Sequence, residues 1–288
     1  MRASIIISTY NSPLWLQKVL WGYTQQSDKE FEILIADDGS NEICRNEIKR
    51  IIEQSPLKIR HIWHPDKGFR KTLILNKALL ASKYEYIVFS DGDCIPHPNF
   101  VSVHKRFASK GSYLSGGYVK LPMALSQSLS QGDIRSGHAF KIAWLRKHGF
   151  FNLRSAAKLS NNSLSRILDF LTTTRPTLNG QNSSGWKKDI FKANGFDNRM
   201  VYGAEDSELG IRLNNLGIRG IQIRHSAACL HLDHPRSYVS KEGWAFNRRI
   251  RSETQRSRAK TTPHGLREIG EGIFLKPQNK QRQYSQSQ

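Results

Sequence analysis

Cysteine is scarce in this chain: Cys44, Cys94 and Cys229 are its only three, far apart and odd in number. They form no C-x-x-C pair, so a disulfide framework is not expected and a reducing compartment is. Long apolar runs are also missing, and none approaches the length that crosses a membrane. The first apolar run begins almost at once, at Ser4-Ile5-Ile6-Ile7, which leaves no room for a signal peptide. A cytoplasmic location is the expectation. The G-x-G-x-x-G fingerprint is absent, and so is a phosphate loop ending in Gly-Lys-Ser/Thr, which disfavours an NAD enzyme or a P-loop NTPase. Acids are few as well: 24 Asp and Glu stand against 44 Lys and Arg, a formal charge of +20. Such a field favours anionic partners, whether nucleic acid, anionic lipid headgroups or phosphorylated substrates.

What is present describes an ordinary soluble chain. Its 288 residues suffice for a full core, and 38% hydrophobic with 24% charged residues is typical of a globular protein. Ala3 to Thr9 is a short β-branched apolar run, followed by Ser12 as a helix N-cap and Pro13 as the first helical residue. Leu16, Val19, Leu20 and Tyr23 then recur at helical spacing. Phe31 to Ala36 is a second strand, a helical pattern carries Ile48, Ile51 and Ile52, and Ile59 to Trp63 is a third strand. Leu75, Ala78 and Leu79 mark a helix before a fourth strand, Tyr86 to Ser90. Strands alternating with helices predict an α/β fold with a parallel sheet and helices on both faces.

In such sheets ligands bind beyond the carboxyl ends of the strands. The first, second and fourth strands end in Thr9-Tyr10-Asn11, Asp37-Asp38-Gly39-Ser40 and Asp91-Gly92-Asp93, so three polar clusters are expected on one rim. Asp91 and Asp93 can point the same way along an extended backbone, and two close carboxylates repel unless a cation or donors neutralise them. A hard divalent cation with a diphosphate as its other ligand suits that pair. The competing reading is a plain polar turn, since Asp-Gly is a common turn pair.

From Pro122 to Thr177 the rhythm breaks. Between Arg135 and Arg175 there are eight Lys and Arg against one acid, Asp169. Phe140, Ala143, Trp144 and Lys147 fall on one helical face with Phe150-Phe151 behind, a pattern that can lie on an anionic membrane surface or form a solvated insert over one end of the sheet. Order returns at Thr177-Leu178-Asn179-Gly180. Tyr202-Gly203-Ala204-Glu205-Asp206 then opens a helix carrying Leu209, Leu213 and Leu216, with Gly217 after its end. Taken alone, Glu205-Asp206 reads as acids suiting a helix N-terminus. Ile221 and Ile223 belong to a further strand, and His231 and His234 follow. From Lys241 onward eleven Lys and Arg meet four acids before a Gln/Ser-rich end, which predicts a helix or two and then disorder.

The order of these pieces resembles the inverting family 2 glycosyltransferases of GT-A fold. Ile5-Ile6-Ile7-Ser8-Thr9-Tyr10-Asn11 is similar to the family's opening strand and nucleotide loop, and Ile35-Ala36-Asp37-Asp38-Gly39-Ser40 to its uracil-binding turn. Asp91-Gly92-Asp93 resembles the D-x-D metal motif. Tyr202-Gly203-Ala204-Glu205-Asp206 resembles the (W/Y)-G-(G/A)-E-D acceptor and base motif, most like that of galactosyltransferases and bacterial chondroitin-type polymerases. One such motif is weak, but four in this order are specific. The resemblance spans residues 1–120 and 177–236. It implies a Rossmann-like, mostly parallel GT-A domain over 1–236, divided into a nucleotide-sugar half (1–120), a basic helical insert (121–176) and an acceptor half (177–236). A basic, partly disordered extension fills 237–288.

The resemblance further implies a hexosyltransferase that moves a sugar from a nucleotide-sugar, by family habit a UDP-sugar, to a hydroxyl of a glycan or lipid-linked acceptor, with Mn²⁺ or Mg²⁺ as cofactor. By that likeness Asp206 is the base and Glu205 binds the acceptor beside it. Asp93 and His231 hold the metal, with His234 competing for the second place. Asp91 contacts donor ribose or metal-bound water, Asp38 pairs with the uracil imide, and Ser8, Thr9 and Tyr10 shape the same pocket. Arg70, in Phe69-Arg70-Lys71-Thr72, is the expected cation for base or phosphates. Tyr202 is the stacking platform, and Gly180, Asn182 and Trp186 line the acceptor cleft, although Trp186 also reads as core. An imidazole beside oxygen ligands favours Mn²⁺ over Mg²⁺. The short N-terminus leaves no place for the anchor of Golgi relatives. The implied setting is therefore a bacterial cytoplasmic enzyme, peripheral on the inner membrane face, serving lipopolysaccharide or capsule synthesis. Two rival readings are a nucleic-acid-binding protein and an inactive sugar-nucleotide scaffold. The first lacks any known nucleic-acid motif and has acids in its cleft; the second must explain why every acid is kept.

Overall fold

A computed structural model describes residues 1–152, 157–159, 163–235 and 239–269. The strands β1 (Ala3–Thr9), β2 (Phe31–Asp37), β3 (Ile59–Trp63) and β4 (Tyr86–Asp91) alternate with helices α1 (Pro13–Thr24), α2 (Glu42–Glu53) and α3 (Lys71–Ala81). Within β1, Ile5 and Ile7 pack in one core cluster with Leu16, Val19 and Tyr23, while Ile6 packs in another with Leu34, Ile74 and Leu79. That is the two-residue period of a strand buried on both faces. Pro13 occupies the first position of α1, whereas the Ser12 hydroxyl at its N-cap makes no capping bond. Asn41 does cap α2, accepting from Cys44 N at 2.9 Å.

After β4 come β5 (Cys94–Pro96), α4 (Phe100–Phe107), β6 (Ser112–Lys120), α5 (Met123–Ser128), α6 (Gln131–Arg135), α7 (Ile142–Lys147) and α8 (Ser163–Leu171). The chain continues with β7 (Asn182–Trp186), α9 (Lys187–Lys192), α10 (Glu205–Asn215), β8 (Arg219–His231) and α11 (Lys241–Ser257). The eight strands form one sheet in the order β3-β2-β1-β4-β7-β6-β8-β5. The β1, β2, β3 and β4 neighbours are parallel, as are β6 and β8. β7 runs antiparallel between β4 and β6, and β5 runs antiparallel to β8.

The register puts the three polar clusters on one rim, because Ser8 pairs with both Ala36 and Asp91 and Thr9 pairs with Asp37.

The insert is only partly the surface element its composition suggested. Phe140, Leu145 and Phe150 are buried in the core cluster of the α1 face, so Phe140 and Phe150 are not offered to a membrane. Apolar packing wins there because burying one such side chain contributes about 1.5–3 kcal/mol.

α11 packs on α10: Asn247 Nδ2 donates to Val201 O and Gly203 O at 2.7 Å each, and Thr254 Oγ1 donates to Glu208 Oε1 at 2.9 Å. Glu208 and Arg212 form a buried ion pair, Nη2 to Oε2 at 2.7 Å, with Arg212 also donating to Ala193 O. These contacts fix the helix whose first residues are Glu205 and Asp206. The disorder expected at the C-terminal end falls on residues 270–288, outside the described residues. No helix among the described residues is long and apolar enough to cross a membrane.

Candidate active site

A cleft of about 1250 Å³ opens at the carboxyl rim of the sheet. Its floor includes the Asp91-Gly92-Asp93 turn between β4 and β5. Gly92 N donates to Ser8 O at 2.7 Å, and a Cβ on Gly92 would lie 3.0 Å from that oxygen and 3.1 Å from Thr9 Oγ1. Glycine is what lets the turn press against the end of β1.

One side of the cleft carries Ser8, Thr9, Tyr10 and Asp38. Asp38 is buried, with Oδ1 2.8 Å from His64 Nε2 and Oδ2 accepting from Arg70 N at 2.9 Å. Tyr10 Oη donates to Asp66 Oδ2 at 2.9 Å, and that bond, followed by burial, raises the phenol pKa.

Arg70, the expected cation, is not among the residues that line the cleft. It is the N-cap of α3 with φ −135°, and its guanidinium turns back to Pro65 O. Lys71, the next residue and the first in the helix, enters the cleft instead. Its Nζ donates to Asp91 Oδ1 at 2.8 Å and lies 4.0 Å from Glu205 Oε1. Burial alone would lower the Lys71 pKa, but Asp91, Glu205 and Asp206 hold the ammonium charged, above the ordinary lysine range. Ser8 Oγ donates to the same Asp91 oxygen.

At one end Asp93 Oδ2 is 2.9 Å from His234 Nε2 and 3.9 Å from His231 Nε2, and the two imidazoles lie nearly parallel, 5.8 Å apart. His231 Nδ1 is buried with no hydrogen-bond partner, an unmet polar atom that a cation or its shell could serve. Burial would raise Asp93, yet the His234 hydrogen bond and the charges of both imidazoles hold its carboxyl below the usual range. Asp93, Cys94 and His231 present ligand atoms within 4.8 Å of one another. Burial, then the neighbouring Cys229, pushes the Cys94 thiol well above its ordinary pKa, so it keeps its proton and is the weakest of these ligands. The residues present therefore fit a divalent cation held by Asp93 and His231, with His234, stacked 5.8 Å from His231, as an alternative to it and not a third ligand of the same ion.

At the other end Ala204 adopts φ +67° at the N-cap of α10 and turns Glu205 and Asp206 into the cleft. Gly203 N donates to Glu205 Oε2 at 3.0 Å. Asp206 accepts from Gly180 N at 2.8 Å and from Ser207 N at 2.6 Å. Burial, then the charge of Asp206, raises Glu205 to about 7. Burial also raises Asp206 against the pull of Gly180 N and Lys71. Above them Tyr202 stands between two rings edge-on: Phe69 at 5.9 Å and Trp244, from α11, at 6.1 Å. Gly203, at φ +111°, leaves room for Trp244, whose ring a Cβ would meet at 2.8 Å.

The expectations for Asn182 and Trp186 are corrected. Asn182, at the start of β7, is fully buried, and its Nδ2 donates to Gly117 O at 2.6 Å and Ala227 O at 2.9 Å, tying β7 to β6 and β8. Trp186, at the other end of β7, pairs with Tyr86 at the start of β4, and its Nε1 donates to Ser109 O at 2.8 Å, a whole strand away from the rim. The polar, glycine-containing sequence of residues 182–186 carries no local signal of the strand it forms. Gly180 touches the site through its backbone. Lys71, His64, Asp66, Phe69 and Trp244 went unassigned. Only Lys71, adjacent to Arg70, had a signal, and choosing between the two needs the helix phase.

Residues 4–130 match the family model described as Glycosyl transferase family 2. Chondroitin synthase of Escherichia coli is 26% identical over 238 residues, 74% of this chain and 32% of that protein. The uncharacterized glycosyltransferase YfnE of Bacillus subtilis is 25% identical over 261 residues, 82% of this chain and 66% of that protein. The chain thus spans about a third and just under two thirds of these relatives. Among solved structures, the mannosyltransferase PcManGT from Pyrobaculum calidifontis in complex with GDP-Man and Mn²⁺ has a TM-score of 0.56 at 17% identity, covering 96% of this chain and 65% of that one. S. aureus TarS 1-349 in complex with UDP-GlcNAc has a TM-score of 0.57 at 16% identity, covering 88% and 66%. At these identities the likeness is one of fold, and the fold is GT-A.

Proposed function

We propose that the chain, whose residues 4–130 match the family 2 glycosyltransferase model, is a glycosyltransferase that moves a sugar, with inversion, from a UDP-sugar to a hydroxyl of a glycan or lipid-linked acceptor in a metal-dependent reaction. The observation that carries this reading is the joining of two carboxylate pairs by one ammonium: Lys71 lies between Asp91 and Glu205 in a single cleft.

Asp93 and His231, with His234 competing for the second place, would hold the divalent metal, Mn²⁺ by the preference of imidazole with carboxylate ligands, which supplies charge neutralisation to the diphosphate when bound. In support, the fold relative PcManGT is described with Mn²⁺ and GDP-Man, and the TarS relative with UDP-GlcNAc. Asp38, oriented by His64 and Arg70 N, accepts from the uracil imide, while Ser8, Thr9 and Tyr10 wall the nucleoside. Lys71 holds Asp91 toward the ribose and faces the charge that develops as the C1–oxygen bond to the diphosphate breaks. The acceptor hydroxyl forms its bond to C1 from the opposite face and gives its proton to Asp206, with Glu205 alongside to accept a second acceptor hydroxyl. Tyr202, Phe69 and Trp244 offer apolar edges to the acceptor ring. A bacterial envelope polysaccharide, lipopolysaccharide core or capsule, suits a +20 chain serving an anionic or lipid-linked acceptor.

Incubation with a panel of UDP-sugars, Mn²⁺ and glycan acceptors should release UDP. If metal changes neither UDP binding nor donor hydrolysis for any nucleotide-sugar, the proposal fails.

A further inference from the structure

Helix α8, Ser163–Leu171, is mounted with its polar face inward. Asp169 is buried and accepts from His225 N at 2.7 Å and Ser226 N at 3.1 Å, and Ser165 is buried beside it. The opposite face points to solvent: Leu164 is 50% exposed, Ile167 54%, Phe170 88% and Leu171 65%. A helix that folded only for this chain's own core would be turned the other way round, since apolar surface in water costs about 25 cal/mol per Å². The contacts along β8 that hold Asp169 fix the inverted orientation.

We propose that this face docks on the surface of an anionic lipid bilayer, with the apolar side chains seated at the headgroup boundary. Charge complementarity selects that occupant. Arg166 of α8 and Arg106 of α4 flank the patch, their guanidiniums 5.4 and 5.2 Å from the Phe107 ring. Asp169, the only acid between residues 135 and 175, is turned inward and engaged by backbone amides. A second copy would bring another +20 charge to the same patch, and residues 270–288 carry three Lys and Arg against one acid. Both are repelled where an anionic surface is attracted. An amphipathic helix with Phe and Leu on one side and Arg at its margin is built to lie in the interfacial plane.

The test is flotation of the full chain with phosphatidylcholine vesicles containing phosphatidylglycerol, against phosphatidylcholine alone. Expected is flotation with the anionic vesicles only, weakened by salt. The triple variant Ile167→Gln, Phe170→Gln, Leu171→Gln should bind roughly ten-fold or more weakly, with an unchanged far-UV spectrum and UDP affinity. Arg166→Glu should weaken binding several-fold. Asp93→Ala should float as the wild type does, which separates this proposal from the transferase reading. Three outcomes would each overturn it: no flotation on anionic vesicles, a triple variant that floats like the wild type, or a lipid-free wild-type dimer that the triple variant dissolves.

Discussion

Lys71 donates to Asp91 at 2.8 Å, and the same ammonium stands 4.0 Å from Glu205, so one cation spans the proposed donor and acceptor halves of the cleft. Replacing it with methionine leaves three carboxylates facing one another without a counter-charge. Lys71→Met should cut kcat by about 10²–10³-fold and raise the pH at which the Glu205–Asp206 pair loses its protons. Steady-state kinetics over a pH series reads both effects. A variant with wild-type kcat would exclude the role given to Lys71.

Glu205 has a carboxyl pKa of about 7 in the fold against an ordinary 4.5, through burial and the neighbouring Asp206. The folded chain therefore binds this proton more tightly than the unfolded one, and stability falls as pH rises from about 4.5 to about 7. Glu205→Gln should abolish that decline and gain on the order of 1–3 kcal/mol at pH 8, measurable by urea unfolding at pH 5 and pH 8. The rate should run the other way. Transfer is expected to climb to a plateau above about 7, because a base acts only when ionised and the pair titrates as a unit.

Asp206→Asn keeps the shape of the cleft but removes the proton acceptor. Transfer should drop by about 10²–10⁴-fold while UDP affinity stays within two-fold of wild type, read by calorimetry. Loss of UDP binding would contradict the division of roles.

Asp93→Ala and His231→Ala should each weaken Mn²⁺-dependent UDP binding by about ten-fold or more. Binding of UDP without metal should change little, and chelation of the wild type should reproduce the variants. His234→Ala tests which imidazole serves. If metal-dependent binding survives in both histidine variants, the ligand set is wrong.

Trp244 reaches the cleft from α11 and stands against Tyr202. Trp244→Ala should raise the acceptor KM by about ten-fold with donor KM unchanged, and Trp244→Phe should restore most of the loss. An equal rise in both KM values would place the residue elsewhere in the reaction.

Beneath the site, Glu208 and Arg212 are both buried and bound to each other. Glu208→Ala strands the guanidinium and should cost about 3–5 kcal/mol, seen as a lowered urea midpoint.

The sequence by itself determined the first half of the fold and the addresses of the acids. β-branched runs ending in Thr-Tyr-Asn, Asp-Asp-Gly-Ser and Asp-Gly-Asp encode both strand and strand end locally, because periodicity and turn chemistry need only near neighbours. It determined also that Glu205 and Asp206 begin a helix, and that His231 and His234 follow a strand. Only the tertiary structure decided which neighbour of a motif faces the site. Arg70 and Lys71 are adjacent cations, and a helix start between them sends one to Pro65 and the other to Asp91. Asn182 looked like cleft polarity and is a buried clasp between strands, since its partners at Gly117 and Ala227 are distant in sequence. The basic stretch after Lys241 gave no sign that Trp244 would wall a cleft, for that depends on α11 docking against α10. Long-range packing, not local pattern, chose those residues.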